Sequence, residues 1–92
     1  MTDYSIAHDS IGHRFATVVD GVQAHLEYLL RGGVMTITHT LVPASIGGRG
    51  IAGALVKAAL DHARAEGLKV NPACSYSAAW MERHPDYQPL RA

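Results

Sequence analysis

Through its first half the chain alternates apolar and polar residues with a period of two; after residue 50 the period lengthens to that of a helix. Ser5 to His8 is a short candidate strand. From His13 to Val19, the residues Phe15, Thr17 and Val19 fall on one face. From Val22 to Leu30, the face-sharing set is Ala24, Leu26, Tyr28 and Leu30. Asp20-Gly21 stands between these two runs, the signature of a two-residue type I′ hairpin, whose central positions both need positive φ. Gly32-Gly33 marks a second reversal. Val34 to Val42 reads as a fourth strand, with Met35, Ile37, His39 and Leu41 on one face and Thr36, Thr38 and Thr40 on the other. Together these segments predict an antiparallel β-meander.

Pro43 ends the fourth strand, since it cannot donate to a ladder. A glycine-rich stretch follows, Ser45-Ile-Gly-Gly-Arg-Gly-Ile-Ala-Gly53. Beyond it Ala52, Leu55, Val56, Ala59, Leu60 and Ala63 form one helical stripe, with Lys57, Asp61 and Arg64 off it. The spacing predicts a helix from about Gly50 to Glu66, stopped by Gly67. Leu68 to Asn71 resembles a short strand closed by Pro72. A second helix runs from Tyr76 to about Arg83, ending before Pro85 because the residue before a proline avoids the helical region. Asp86 to Ala92 read as a tail. The order β-β-β-β-α-β-α predicts an α+β fold in a single domain over residues 1–92, its fourth strand, long helix and fifth strand forming a right-handed crossover.

Composition narrows the function classes. The chain has 92 residues, 48% of them hydrophobic, so disorder is not expected. Lys+Arg and Asp+Glu both number 8, so the net charge is zero, which argues against a nucleic-acid partner bound through bulk positive charge. One cysteine permits neither an internal disulfide nor a Cys-rich zinc site, and a reducing, cytoplasmic location is the expectation. No apolar run approaches the ~20 residues of a membrane helix, and the N-terminus carries Asp3 where a secretory leader would be basic, so no membrane association is expected. Six histidines match no metal-ligand spacing, and no metal is expected.

The segment Val42 to Gly53 carries the strongest chemical signal. A strand, a glycine-rich turn and a helix N-terminus make an anion site, because the first helical N–H groups lack intrahelical partners and the helix dipole favours negative charge there. Glycines at 47, 48, 50 and 53 let phosphates approach the backbone, and Arg49 adds a charge. A plain strand-to-helix turn is the competing reading, although Gly50 and Gly53 fall where glycine costs a helix about 1 kcal/mol. The loop is not a Walker-A sequence. Gly48-Arg-Gly-Ile-Ala-Gly53 has dinucleotide-fingerprint spacing, but it follows a meander, and Glu66, the acid nearest the required distance, lies near the end of the same helix.

A strand ending in Val-Pro, then Gly47-Gly-Arg-Gly-Ile-Ala52, then a helix, resembles motif A of the GCN5-related N-acetyltransferases, whose loop has the form [Arg/Gln]-x-x-Gly-x-[Gly/Ala]. His39-Thr-Leu-Val-Pro43, Gly48-Arg-Gly-Ile-Ala52, Lys69-Val-Asn-Pro-Ala-Cys-Ser-Tyr76 and Glu82-Arg-His-Pro-Asp-Tyr87 resemble the small YjdJ-type branch of that superfamily, over about Phe15 to Tyr87. The resemblance implies binding of acetyl-CoA as acetyl donor. Its pyrophosphate would rest on the loop amides of Gly47, Gly48, Arg49, Gly50, Ile51, Ala52 and Gly53. Its pantetheine arm would pair near Leu41 and Val42, with the acyl group in a splay between strands four and five. An amine would be the acceptor. The sequence departs from the pattern at Gly47, where Arg or Gln is usual, and at Leu41, where this branch commonly carries Glu.

Two residues are candidates for catalysis. Cys74 precedes a helix, whose N-terminus lowers a thiol's pKa, and the branch it resembles carries a cysteine there. Its roles would be a transient acyl-thioester or a proton donor to the departing CoA thiolate; a small packed residue is the alternative. His39 would stand beside the expected acyl end, and histidine as a residue type suits proton transfer near neutral pH, against the alternative of a satisfied core histidine. Tyr76 and Trp80 read as core or pocket wall, and Arg83-His84 as a solvated helix end. Two functions compete: an N-acetyltransferase, and a CoA-binding or interaction module with little turnover, which Leu41 motivates.

Overall fold

The computed structural model describes residues 4–92; Met1 to Asp3, where the reading against a secretory leader begins, lie outside them. Strands β1 (Ala7–Asp9), β2 (Arg14–Val19), β3 (Val22–Arg31), β4 (Val34–Leu41) and β5 (Lys69–Pro72) form one sheet in chain order. The joints through β4 are antiparallel, and β4 pairs β5 in parallel across helix α1 (Ile51–Ala65). Helix α2 (Ser75–Arg83) follows β5. The fold is therefore the α+β arrangement that the periodicity predicts. Asp20 (φ 52°) and Gly21 (φ 75°) make the tight β2–β3 reversal, both with the positive φ that a type I′ turn demands.

Alternation decides where the core sits. Phe15, Thr17, Ala24, Leu26, Tyr28, Met35 and Ile37 point from β2, β3 and β4 toward α1, which lies across these three strands. The helix answers with Ile51, Leu55, Val56, Ala59, Leu60 and Ala63, all buried. Ile51 takes the first buried position, and Ala52 is only half-buried. From α2, Trp80 and Met81 join the same core. The opposite face of the sheet carries exposed Val18, Leu29 and Leu41, and no helix among the described residues covers it.

Two expectations need correction. Met35, Ile37, His39 and Leu41 do not share a face. Glu27 pairs with His39 and Tyr28 with Ile37, so Thr38 is an extra residue, a β-bulge, and the alternation reverses there. Thr38 Oγ1 donates to the Glu27 carbonyl at 3.3 Å across the bulge. Beyond it Thr40, opposite buried Leu26, faces the helices, while His39 and Leu41 face away. The second correction concerns Asp86 to Ala92, which is no tail. Pro85–Leu90 form a 3-10 helix, Tyr87 is buried, and its hydroxyl donates to Asp61 Oδ1 at 2.7 Å. Arg91 bridges Val70 of β5, and the Ala92 amide donates to the Val70 carbonyl at 2.8 Å. An aromatic that reaches back to a helical carboxylate, and amides that reach a free strand edge, hold a segment whose sequence shows no periodicity.

Candidate functional site

β5 pairs β4 only from Val34 to Ile37. Pro72 ends that strand, and the chain turns into α2, leaving the outer edge of β4 without a partner strand from Thr38 onward among the described residues. The Cys74 amide makes the last bond across the gap, donating to the Ile37 carbonyl at 3.0 Å. The bulge and this early termination open a cleft of about 320 Å³. It is lined by His25, Glu27, Thr38, His39, Thr40 and Leu41 from the sheet, and by Cys74, Ser75 and Tyr76 at the start of α2. The structure thus brings the two sequence-predicted catalytic candidates, Cys74 and His39, into one cavity.

Cys74 is the N-cap of α2. Its sulfur accepts from the Ser77 backbone N–H at 3.3 Å and lies 3.0 Å from Ser77 Oγ, whose own hydroxyl donates to the Cys74 carbonyl. Thr40 Oγ1 lies 3.5 Å from the sulfur, a contact that exists because the bulge turns Thr40 inward. Burial is the largest single influence on the thiol and pushes its pKa up. The hydrogen bonds of Ser77 and Thr40 and the backbone N–H groups of Ser77 and Tyr76 together outweigh it, and hold the thiol below its ordinary value.

His25 and Glu27 escaped the sequence reading. Both face away from the helices, opposite Leu41 and His39 respectively. His25 Nε2 lies 2.9 Å from Glu27 Oε2, and the Arg14 guanidinium, across on β2, lies 3.8 Å from the same oxygen. Their alternation along β3 is plain in the sequence, but strict alternation of β4 would have put His39 on the other face. Without the bulge, His25 and Glu27 cannot be seen to meet His39. Ser77 did have a signal: it stands three residues after Cys74, the spacing at which a cap residue and the third helical residue exchange bonds.

At the other end, the segment after Val42 forms a 3-10 turn (Ala44–Ile46) pinned by buried Ile46, then the glycines. Gly48 (φ 75°) and Gly50 (φ 74°) are in the left-handed region, with no atom within 4 Å of where a Cβ would sit. Gly50 is the N-cap of α1 and offers no side chain, and no acidic residue occupies the first turn. The residues therefore fit an anionic phosphate group: the backbone is bare, the amides lack side-chain acceptors, and no carboxylate opposes the charge. Gly53 has a different reason. A Cβ there would lie 3.2 Å from Trp80 Nε1 and 3.3 Å from the Tyr76 hydroxyl, so it permits α1 and α2 to touch. Through Tyr76, which also lines the cleft, the loop and the cleft adjoin. The Arg49 guanidinium is paired with Asp20 at 2.7 Å on the surface, an exchangeable contact worth at most about 1 kcal/mol.

Among the described residues no group of His, Cys, Asp and Glu is placed to hold a metal ion, and no helix is long and apolar enough to cross a membrane. Trp80 is core, while Tyr76 is pocket wall. His84 stacks on Trp80 at 3.6 Å and bonds its carbonyl oxygen, so that helix end is half-packed rather than solvated.

Comparison with known proteins gives the same architecture a lineage. The chain is 35% identical over 83 residues to Protein NATD1 of Mus musculus, covering 87% of this chain and 76% of that protein. Protein NATD1 of Gallus gallus matches equally. The solution structure of a GCN5-like protein from Staphylococcus aureus superposes with a TM-score of 0.75 at 27% identity, covering 100% of this chain and 91% of that one. The family pattern described as GCN5-related N-acetyl-transferase matches residues 14–90, nearly the whole of the described chain. This chain therefore belongs to the GCN5-related N-acetyltransferase family.

Proposed function

We propose that this protein binds acetyl-CoA and transfers its acetyl group to an amine. The observation that carries this reading is the adjacency of two features: a glycine-rich helix N-terminus suited to phosphates, and a cleft that holds a thiol with a lowered pKa. The pyrophosphate would rest on the amides between Gly47 and Gly53, the pantetheine arm along Leu41 and Val42 on the unpartnered edge of β4, and the thioester beside Cys74. That edge suits the arm, because its backbone groups have no neighbouring strand to satisfy them. Polarisation of the thioester carbonyl would fall to backbone N–H groups near the gap. Cys74 would either accept the acetyl as a thioester or return a proton to the CoA thiolate, and a lowered thiol pKa serves both. His39 supplies a second imidazole at the same cleft.

A second reading, a CoA-binding module without useful turnover, is favoured by Leu41, which is 54% exposed where its branch commonly has an acid. Calorimetric titration with CoA and a thiol-release assay with acetyl-CoA and a panel of amines separate the two. The parent should bind CoA and release thiol in an amine-dependent manner. Gly50→Val should weaken CoA binding several-fold or more, since a β-branched side chain would stand where the phosphate approaches. It also strains the left-handed N-cap by roughly 1–2 kcal/mol, so the variant is compared under conditions where circular dichroism shows it folded. Unchanged CoA affinity in a folded Gly50→Val would put the nucleotide elsewhere. Binding without amine-dependent release would leave the module reading.

A further inference from the structure

We infer that His25, held by Glu27, is the base that takes the proton from the incoming amine, and that the acceptor is therefore an alkylamine that arrives as an ammonium ion. This rests on the acetyltransferase reading above and adds its acceptor side.

One hydrogen bond joins the two side chains. Ionised Glu27 can only accept, so at 2.9 Å the His25 Nε2 must carry the hydrogen. That assignment fixes the neutral ring as the Nε2–H tautomer and leaves Nδ1 with its lone pair, and Nδ1 has no hydrogen-bond partner among the described residues. The carboxylate is in turn steadied by Arg14, 3.8 Å away on β2. A base positioned by a carboxylate on its far nitrogen is the arrangement in which imidazole both keeps a productive orientation and tolerates the charge it gains. The His25 side chain is only 15% exposed, so its orientation is set by packing as well as by the bond. The other titratable groups lining the cleft are Glu27 on the same strand, His39 on β4, and Cys74 and Tyr76 at the start of α2, and Arg14 reaches Glu27 from β2. His39 has no such support, because its ring makes no hydrogen bond among the described residues and it is exposed.

The placement also accounts for Leu41. His25 pairs directly with Leu41 across the β3–β4 ladder, and Glu27 projects from the same face two residues along. A carboxylate that position 41 does not provide thus enters the cleft from β3 instead. With Glu27 at its mouth and no free lysine or arginine lining it, the cleft suits a cation better than an anion.

The ammonium nitrogen loses one proton to His25 Nδ1, which later passes it to solvent. The freed lone pair forms the N–C bond to the thioester carbonyl carbon, the C–S bond breaks, and the sulfur departs with its electron pair. The nitrogen's second proton passes to the departing thiolate as the amide forms, so the products are the amide and the CoA thiol. Glu27 and Arg14 position the base and touch neither reactant.

The test compares parent, His25→Gln, Glu27→Gln and His39→Gln with acetyl-CoA and two acceptors. One acceptor is a primary alkylamine found by the panel, and the other is hydroxylamine, which is unprotonated at neutral pH and needs no base to reveal its lone pair. His25→Gln should lower kcat/KM for the alkylamine by roughly 10²-fold or more, should lose the acid limb of the pH–rate profile, and should cost far less with hydroxylamine. Glu27→Gln should give an intermediate loss with the same acceptor dependence. CoA affinity, read by calorimetry, should not change in either. If His25→Gln matches the parent across the pH range, or is impaired equally with both acceptors, this inference is overturned while the acetyltransferase reading stands. If His39→Gln alone shows the acceptor-dependent loss, the base is His39. A parent that binds CoA and transfers to no amine overturns the acetyltransferase reading and this inference with it.

Discussion

Cys74 shows how a single position can be set by contacts that its own sequence neighbourhood only half reveals. The cap role follows from its place before a helix, and Ser77 from the spacing. Thr40 is thirty-four positions away and reaches the sulfur only because β4 is bulged. Removing the Ser77 hydroxyl deletes the largest of the influences that lower the thiol's pKa, while burial, which raises it, remains. Ser77→Ala should therefore shift the midpoint of the alkylation-rate curve upward, and slow alkylation at neutral pH. The parent should alkylate with a midpoint below the ordinary 9.0 of a thiol. CoA should protect it if the acyl end lies where proposed. A parent curve centred on the ordinary value, unmoved by Ser77→Ala, would make Cys74 a packing residue.

At the level of elements, most of this fold is legible in the chain. The hairpin turns announce themselves through glycine and aspartate, because positive φ admits few other residues. The long helix shows through its stripe, since burial of one face is what forms it. What stays hidden is what depends on tertiary partners. Thr38 looks like any threonine of an alternating strand, and its bulge is a decision made between β3 and β4. The same cause concealed the meeting of His25 and Glu27 with His39, and the docking of Tyr87 on Asp61. Gly53 reads as part of the phosphate loop, and the structure adds a packing reason for it, its contact with α2. The bulge carries its own test. Deleting Thr38 restores plain alternation with Ile37 inward, His39 outward and Thr40 inward, so the faces are kept and the domain should still unfold cooperatively, within about 1–2 kcal/mol of the parent. The strand, however, would straighten and shorten by one residue, about 3.3 Å, pulling Thr40 away from Cys74 and closing the gap against β5. CoA affinity should fall about tenfold or more. A deletion variant that binds CoA like the parent would show that the bulge does not shape the site.

Across the whole molecule, three histidines gather at the end opposite the glycine loop, where β1, the β1–β2 loop and the end of α1 converge. His8 stacks on Phe15 at 4.1 Å, meets His62 edge-on at 4.3 Å and bonds the Tyr28 hydroxyl at 2.6 Å, while His13 stacks on Tyr28. Burial foremost, then the His62 and His13 rings, disfavour the charged form of His8, and Asp9 offsets them in part. Its folded pKa is thus below the ordinary 6.5, and the unfolded chain binds the proton more readily. Stability should be independent of this group above pH 6.5, fall as pH drops through that value, and level off below the folded pKa. Urea unfolding between pH about 7.5 and about 5 reads the slope, and His8→Gln should flatten it; an unchanged slope in the variant would assign the effect to other groups. The far edge of the sheet carries a quieter consequence. Because Arg91 bridges Val70 and the Ala92 amide takes the Val70 carbonyl, the outer edge of β5 offers a passing strand fewer free groups to copy. The segment that reads as a tail thus shields part of this edge, and a variant truncated after Tyr87 should self-associate more readily, as read by light scattering.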